Sequence, residues 1–134
     1  MRVRGSCHCG EIAYTASVEA DGVTICHCTD CQKLSGGAYR VTVRAAAEGF
    51  SLLSGKPKTY IKTAQSGAKR VQAFCGTCGS SVYSHAAEGA VTSYGLRLGG
   101  IDQRHQLRPR KQIWCHSALD WVADLSPVPR AERE

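Results

Sequence analysis

Seven of the chain's eight cysteines fall in three tight runs, and nothing else in the sequence restricts the fold so strongly. Cys7 and Cys9 are spaced C-x-C. Cys26, Cys28 and Cys31 are spaced C-x-C-x-x-C. Cys75 and Cys78 are spaced C-x-x-C, and Cys115 stands alone. Such spacing suits metal knuckles, in which one tight turn presents two sulfurs to the same point. Four disulfides would instead require an oxidising compartment. The start, "MRVRGSCHCG", is basic but no apolar run follows it, so a signal peptide is not expected. No stretch approaches the roughly 18 apolar residues of a membrane helix. The expectation is a cytoplasmic protein whose thiols hold metal.

A chain of 134 residues has the length of one domain and can bury a core without disulfides. The expected division is a zinc-binding domain over residues 1–125 and a frayed, Pro-rich charged tail over 126–134. The formal charge is +6. Zinc ligation requires thiolates. Seven of them around two divalent ions remove three charges and leave about +3. A basic isoelectric point is therefore a poor argument for nucleic acid, which is not the expected partner. A small anionic substrate fits as well.

The apolar pattern has a period of two. "EIAYTASV" places Ile12, Tyr14, Ala16 and Val18 on one face, and "AYRVTV" does the same with Tyr39, Val41 and Val43. "KTYIK", "RVQAF", "SSVYS", "VTSYGLRL" and "KQIW" are further short strand candidates. Turns bearing Gly or Pro separate them, among them Gly49, Gly55, Gly67, Gly76, Gly89, Gly99 and Pro109. Helix signals are few. Thr29 or Asp30 is the expected cap of a single turn from Cys31 to Leu34, stopped by Gly36 and Gly37. "SALDW" is a second short turn. The fold class is mainly β and antiparallel, with metal clusters in the turns.

"FCGTCGS" brackets a tight turn with two cysteines, and "SCHCG" is its natural second half. Cys7, Cys9, Cys75 and Cys78 then make a closed four-sulfur structural site. Cys26, Cys28 and Cys31 are left with three sulfurs. His27 lies between two of them, and neighbouring side chains in an extended segment point in opposite directions. Cys115 or His116 could supply a fourth ligand from far along the chain. If neither does, the fourth position is open to water or to a substrate sulfur, the arrangement of a catalytic metal.

"GSCHCGEIAY", "CHCTDCQKLSGG", "FCGTCGSSVYS" and "IWCHSALDWV", in this order, resemble the glutathione-dependent formaldehyde-activating enzyme (Gfa) family, which has the Mss4-like fold. The resemblance runs from about Gly5 to Val122. It implies a complex all-β scaffold with two zinc ions. The family's structural site maps onto Cys7, Cys9, Cys75 and Cys78, and its catalytic site onto Cys26, Cys28 and Cys31. The implied activity is the condensation of formaldehyde with glutathione to S-hydroxymethylglutathione, a carbon–sulfur lyase reaction. The chain is shorter than the founding enzymes.

Glutathione carries two carboxylates, for which Lys33, Arg40, Lys69 and Arg70 are candidate contacts, the arginines favoured by bidentate geometry. Most Lys and Arg side chains are simply solvated surface, which is the expectation for any one of these four. Tyr39, Tyr83, Tyr94, Trp114 and Trp121 are expected in the core. His8, His85, His105 and His116 are expected as satisfied or exposed histidines, and Cys115 as a small buried hydrophobe. The competing function is a non-catalytic zinc-binding or thiol-carrier module for a protein or anionic partner. "KPKTYIKTAQSGAKR" is the basic stretch that would serve it.

Overall fold

The period-two segments assemble into one sheet of eight strands. In the computed structural model, which describes residues 1–134, these are β1 (Arg2–Ser6), β2 (Ala13–Cys26), β3 (Arg40–Ser54), β4 (Lys58–Thr63), β5 (Lys69–Phe74), β6 (Ser81–Ala86), β7 (Ser93–Arg97) and β8 (Lys111–Ile113). The one α-helix is α1 (Thr29–Ser35), and four 3-10 turns follow β7. The strand order is β1-β2-β3-β7-β6-β5-β4. Neighbours along this path are antiparallel, while β8 runs parallel to the end of β2. The expected class, mainly antiparallel β with short helical turns, is the class observed. No helix is long and apolar enough to cross a membrane.

β2 and β3 are longer than the sequence suggested, because irregularities bend them without ending them. Ala16 pairs with Phe50 but Val18 pairs with Ala45, so residues 46–49 form a bulge in β3. Gly49, expected in a turn, lies inside this bulge. A Cβ there would come 2.9 Å from Cβ of Ser17, so the glycine serves close approach of two strands.

Ile12, Tyr14, Ala16 and Val18 are all buried, as their alternation requires. They meet Val23, Val43, Ala45, Val82, Leu96 and Ile101 in one apolar cluster. Tyr83, Tyr94 and Phe50 pack against it, with Phe50 stacked on Tyr94 at 4.3 Å between ring centroids. Burying a side chain such as Leu96 contributes about 1.5–3 kcal/mol. The alternation fails in "AYRVTV": Tyr39 is exposed, and Arg40, one residue on, is buried. Trp114, Trp121 and Cys115 are also exposed, against expectation. They lie where the chain leaves the sheet in 3-10 turns, and no second layer covers that segment.

β1 is held against β2 with Gly5 opposite Tyr14. The buried Tyr14 ring occupies the place of a side chain at Gly5, and an added Cβ would collide with Cζ and Oη of that ring. Gly5→Ala should therefore lower stability by about 1–3 kcal/mol, as overpacking of a full core does. Urea denaturation checks this. Gly99→Ala, which meets nothing within 4 Å, should leave the midpoint unchanged.

Candidate functional site

Cys7 and Cys9 come from the turn between β1 and β2. Cys75 and Cys78 come from the turn between β5 and β6. The four Sγ atoms lie within 4.8 Å of one another. Cys7 and Cys9 are 3.6 Å apart, and Cys9 and Cys75 are 3.8 Å apart. Four sulfurs about 2.3 Å from a central zinc would stand about 3.8 Å apart, so the set has the size of a tetrahedral thiolate site. Backbone donors already point at it: Ile12 N–H at 3.3 Å from Cys7 Sγ and Cys78 N–H at 3.5 Å from Cys75 Sγ. The Ser80 hydroxyl and N–H pull the Cys78 thiol down to about 5. Such bonds favour the thiolate a metal needs. Glu11 stands beside the set, accepting from the Thr77 hydroxyl at 2.7 Å and from Cys75 Sγ at 3.6 Å.

The three-cysteine set is built where β2 turns into α1. Cys26 ends the strand, Cys28 caps the helix, and Cys31 sits buried in its first turn. Their Sγ atoms also lie within 4.8 Å of one another. The cap is thus Cys28, not Thr29 or Asp30: its sulfur accepts the Cys31 N–H at 3.3 Å. Burial opposes ionisation of Cys28. Even so its pKa lies below the ordinary value, since the Cys31 N–H, the neighbouring thiols and the Lys62 ammonium favour the thiolate. Burial pushes the Cys31 thiol up to about 12, helped by the sulfurs of Cys28 and Cys26. The helix stops at Gly36, whose φ of 68° is the left-handed cap.

His27 points away from the sulfurs, as the extended backbone demands. It is buried, and its Nε2 lies 2.7 Å from Oε1 of Gln112. Its carbonyl accepts from Gln32 Nε2 at 2.9 Å and from the Ser117 hydroxyl at 3.2 Å. Gln32 Nε2 also donates to the Ser117 carbonyl at 3.0 Å, which ties the segment after β8 to the helix. Cys115 and His116 nonetheless stay outside the sulfur set. His8, His105 and His116 are exposed, and His85 lies with Nδ1 2.8 Å from the Ala86 carbonyl.

Cys26 and Cys31 line a cavity of about 340 Å³ together with Arg40, Arg70, Gln72 and Arg97. Arg40 Nη1 and Arg97 Nη2 both donate to Gln72 Oε1, at 3.0 and 2.8 Å. Arg97 Nη1 donates to the Thr42 hydroxyl at 3.0 Å. Burial, then the adjacent Arg40, lowers the Arg97 pKa to about 9. Of the four cations singled out from sequence, Arg40 and Arg70 reach this cavity. Lys33 lines a neighbouring depression with Asp30, Tyr60 and Lys62, and Lys69 is exposed at the start of β5. Arg97 and Gln72 escaped the sequence reading. The available signal was an arginine standing in the apolar alternation of "SYGLRL".

The likeness to known proteins agrees with this arrangement. No match was found among curated proteins. Among solved structures, a crystal structure of a Rhodobacter sphaeroides protein superposes with a TM-score of 0.58 at 18% identity, over 81% of this chain and 98% of that one. Identity this low speaks for the fold alone. The model of the glutathione-dependent formaldehyde-activating enzymes matches residues 2–117, which include both sulfur sets, and the chain belongs to that family.

Proposed function

We propose that the chain joins a thiol such as glutathione to an aldehyde such as formaldehyde, and splits the adduct in reverse, at the Cys26, Cys28 and Cys31 cluster. The observation that supports this most is a set of three sulfurs with no fourth protein ligand, facing a cationic cavity. The four-cysteine set would hold a structural zinc, and the three-cysteine set a second one. A zinc held by three thiolates would offer a soft open position that favours the ionised form of an incoming thiol.

The chain's own residues do the rest. Arg40 and Arg70 attract the carboxylates of the thiol, with Lys33 and Lys69 further out. The Cys31 N–H favours the thiolate of Cys28, and Gln32 fixes the loop carrying Ser117 against the helix. In the reaction the sulfur–carbon bond forms, the carbonyl π bond breaks, and the carbonyl oxygen takes up the proton that the thiol gave up. No atom is lost. A reducing compartment such as the cytoplasm keeps these sulfurs free. The second reading, a thiol carrier without turnover, draws support from the cavity lining, where no carboxylate or imidazole stands ready to relay that proton. Rates of adduct formation with and without the protein separate the two readings.

The purified protein should hold up to two zinc ions of unequal affinity. Structural zinc contributes folding free energy on the order of 10 kcal/mol in small domains, so Cys75→Ser should fail to fold or lose solubility. Metal analysis and circular dichroism check this. A folded Cys75→Ser protein with full metal content would defeat the structural assignment.

Cys28→Ala should abolish glutathione binding in calorimetry. Its effect on stability should be no larger than loss of a helix cap, about 1 kcal/mol. That corresponds to a melting temperature lower by about 4 °C in a domain of this size. Undiminished glutathione affinity in this variant would sink the open-site reading.

A further inference from the structure

Arg40 and Arg97 lack what buried cations ordinarily have. They are 6% and 8% exposed, yet neither takes part in an ion pair. Charged side chains this deeply buried are normally paired. Their hydrogen bonds fall short as well. One neutral oxygen, Gln72 Oε1, serves both guanidiniums, and Thr42 takes one more N–H. Nε and Nη2 of Arg40 and Nε of Arg97 are buried without a partner. A planar guanidinium presents five N–H donors suited to a bidentate oxyanion.

The charges around them leave the same deficit. No Asp or Glu lines the cavity. Lys62 is answered by Asp30 at 3.1 Å. Arg40, Arg70 and Arg97 then face only the cysteine cluster, which with one divalent ion would carry a single negative charge. Two positive charges remain. A purely structural strut between β3, β5 and β7 would be built better from apolar side chains, since two like charges packed together in the interior oppose folding. The pair also lines a second cavity of about 380 Å³ with Tyr39, Ser80 and Ser81, which leaves space for the remainder of a peptide-sized ligand.

We infer that Arg40 and Arg97, oriented by Gln72, form a carboxylate-binding subsite beside the Cys26, Cys28 and Cys31 cluster, so that the substrate is a carboxylate-bearing adduct and not a neutral one. The carboxylate belongs either to the thiol or to the aldehyde. The inference deepens the thiol–aldehyde reading and rests on it for the position of the sulfur.

Calorimetry on the zinc-loaded protein tests it with two ligand pairs. Glutathione is compared with its diethyl ester, which keeps the thiol and loses both carboxylate charges. Glyoxylate is compared with acetaldehyde, without thiol. A charge-assisted bidentate contact should make one carboxylate ligand bind at least about tenfold tighter than its counterpart without a carboxylate. The preference should vanish in Arg97→Met, which should bind each carboxylate ligand no more tightly than its counterpart, and survive in part in Arg97→Lys. Preference for glutathione assigns the carboxylate to the thiol, and preference for glyoxylate assigns it to the aldehyde. Should Arg97→Met fail to fold, the ligand pairs on the unaltered protein still decide. Equal binding of glutathione and its ester, with no preference for glyoxylate, overturns the subsite and leaves the thiol site standing. A preference for glyoxylate with no binding of either thiol keeps the subsite and removes the thiol reading. Absence of all binding overturns both.

Discussion

The junction of Cys7 and Cys9 with Cys75 and Cys78 decides the shape of the sheet. Along the strand order β2 and β6 are three spacings apart, about 14 Å in a flat sheet, and β1 and β5 are further still. Yet the sulfurs carried by the β1–β2 and β5–β6 turns lie within 4.8 Å of one another. The sheet must curl to allow this, and the bulges in β2 and β3 are where it bends. The chain after β7 completes the curl: Ile101 bridges to Gly5, and the Asp102 N–H donates to the Arg4 carbonyl at 2.9 Å. A metal in the four-sulfur set would hold the two sides of the curled sheet together.

Curling gives the sheet two unlike regions. One buries Ile12, Tyr14, Val43 and Leu96 as the apolar core. The other gathers positive charge near the three-cysteine set, against local preference. Lys62 and Arg70 stand directly opposite each other on β4 and β5, a pairing that destabilises a sheet. Thr42 and Arg97 are likewise cross-strand partners, which explains why the Thr42 hydroxyl is in reach of the guanidinium. Asp30, at the start of α1, relieves only Lys62. Charge concentrated in this way, with stability given up for it, is what a site for an anion requires.

Much of this was legible in the sequence, for identifiable reasons. Metal sites are encoded locally by ligand spacing, so the division of seven cysteines into four and three could be read without a fold, and His27 could be set aside from the alternation of an extended strand. Ile12, Tyr14, Ala16 and Val18 were legible because each faces one core. What escaped reading depends on contacts distant in sequence. Arg97 and Gln72 meet only because β7 and β5 flank β6. Gly49 looks like a turn because nothing local distinguishes a bulge from a loop. Trp114 and Cys115 carry the composition of a core segment, yet they follow a three-residue strand at the sheet margin. Trp114 even adopts a positive φ of 57°, a conformation that side-chain identity does not announce.

The helix bearing Cys31 shows how site and scaffold depend on each other. Seven residues are too few for a helix to persist alone in water, where about 12–15 are needed. α1 is kept by what surrounds it. Cys28 caps its first turn with a sulfur that also belongs to the three-cysteine set, and Gln32 fastens it to the His27 and Ser117 carbonyls. Lys62 reaches Asp30 from β4. These last contacts involve no sulfur, so they would keep the cysteine backbone close to its ligating arrangement before a metal arrives. A metal in the three-sulfur set could therefore be exchanged while the helix stays docked, whereas opening a metal-filled four-sulfur set would loosen the curl of the sheet. The two clusters differ in where each lies: one at a seam of the fold, the other on an element with anchors of its own.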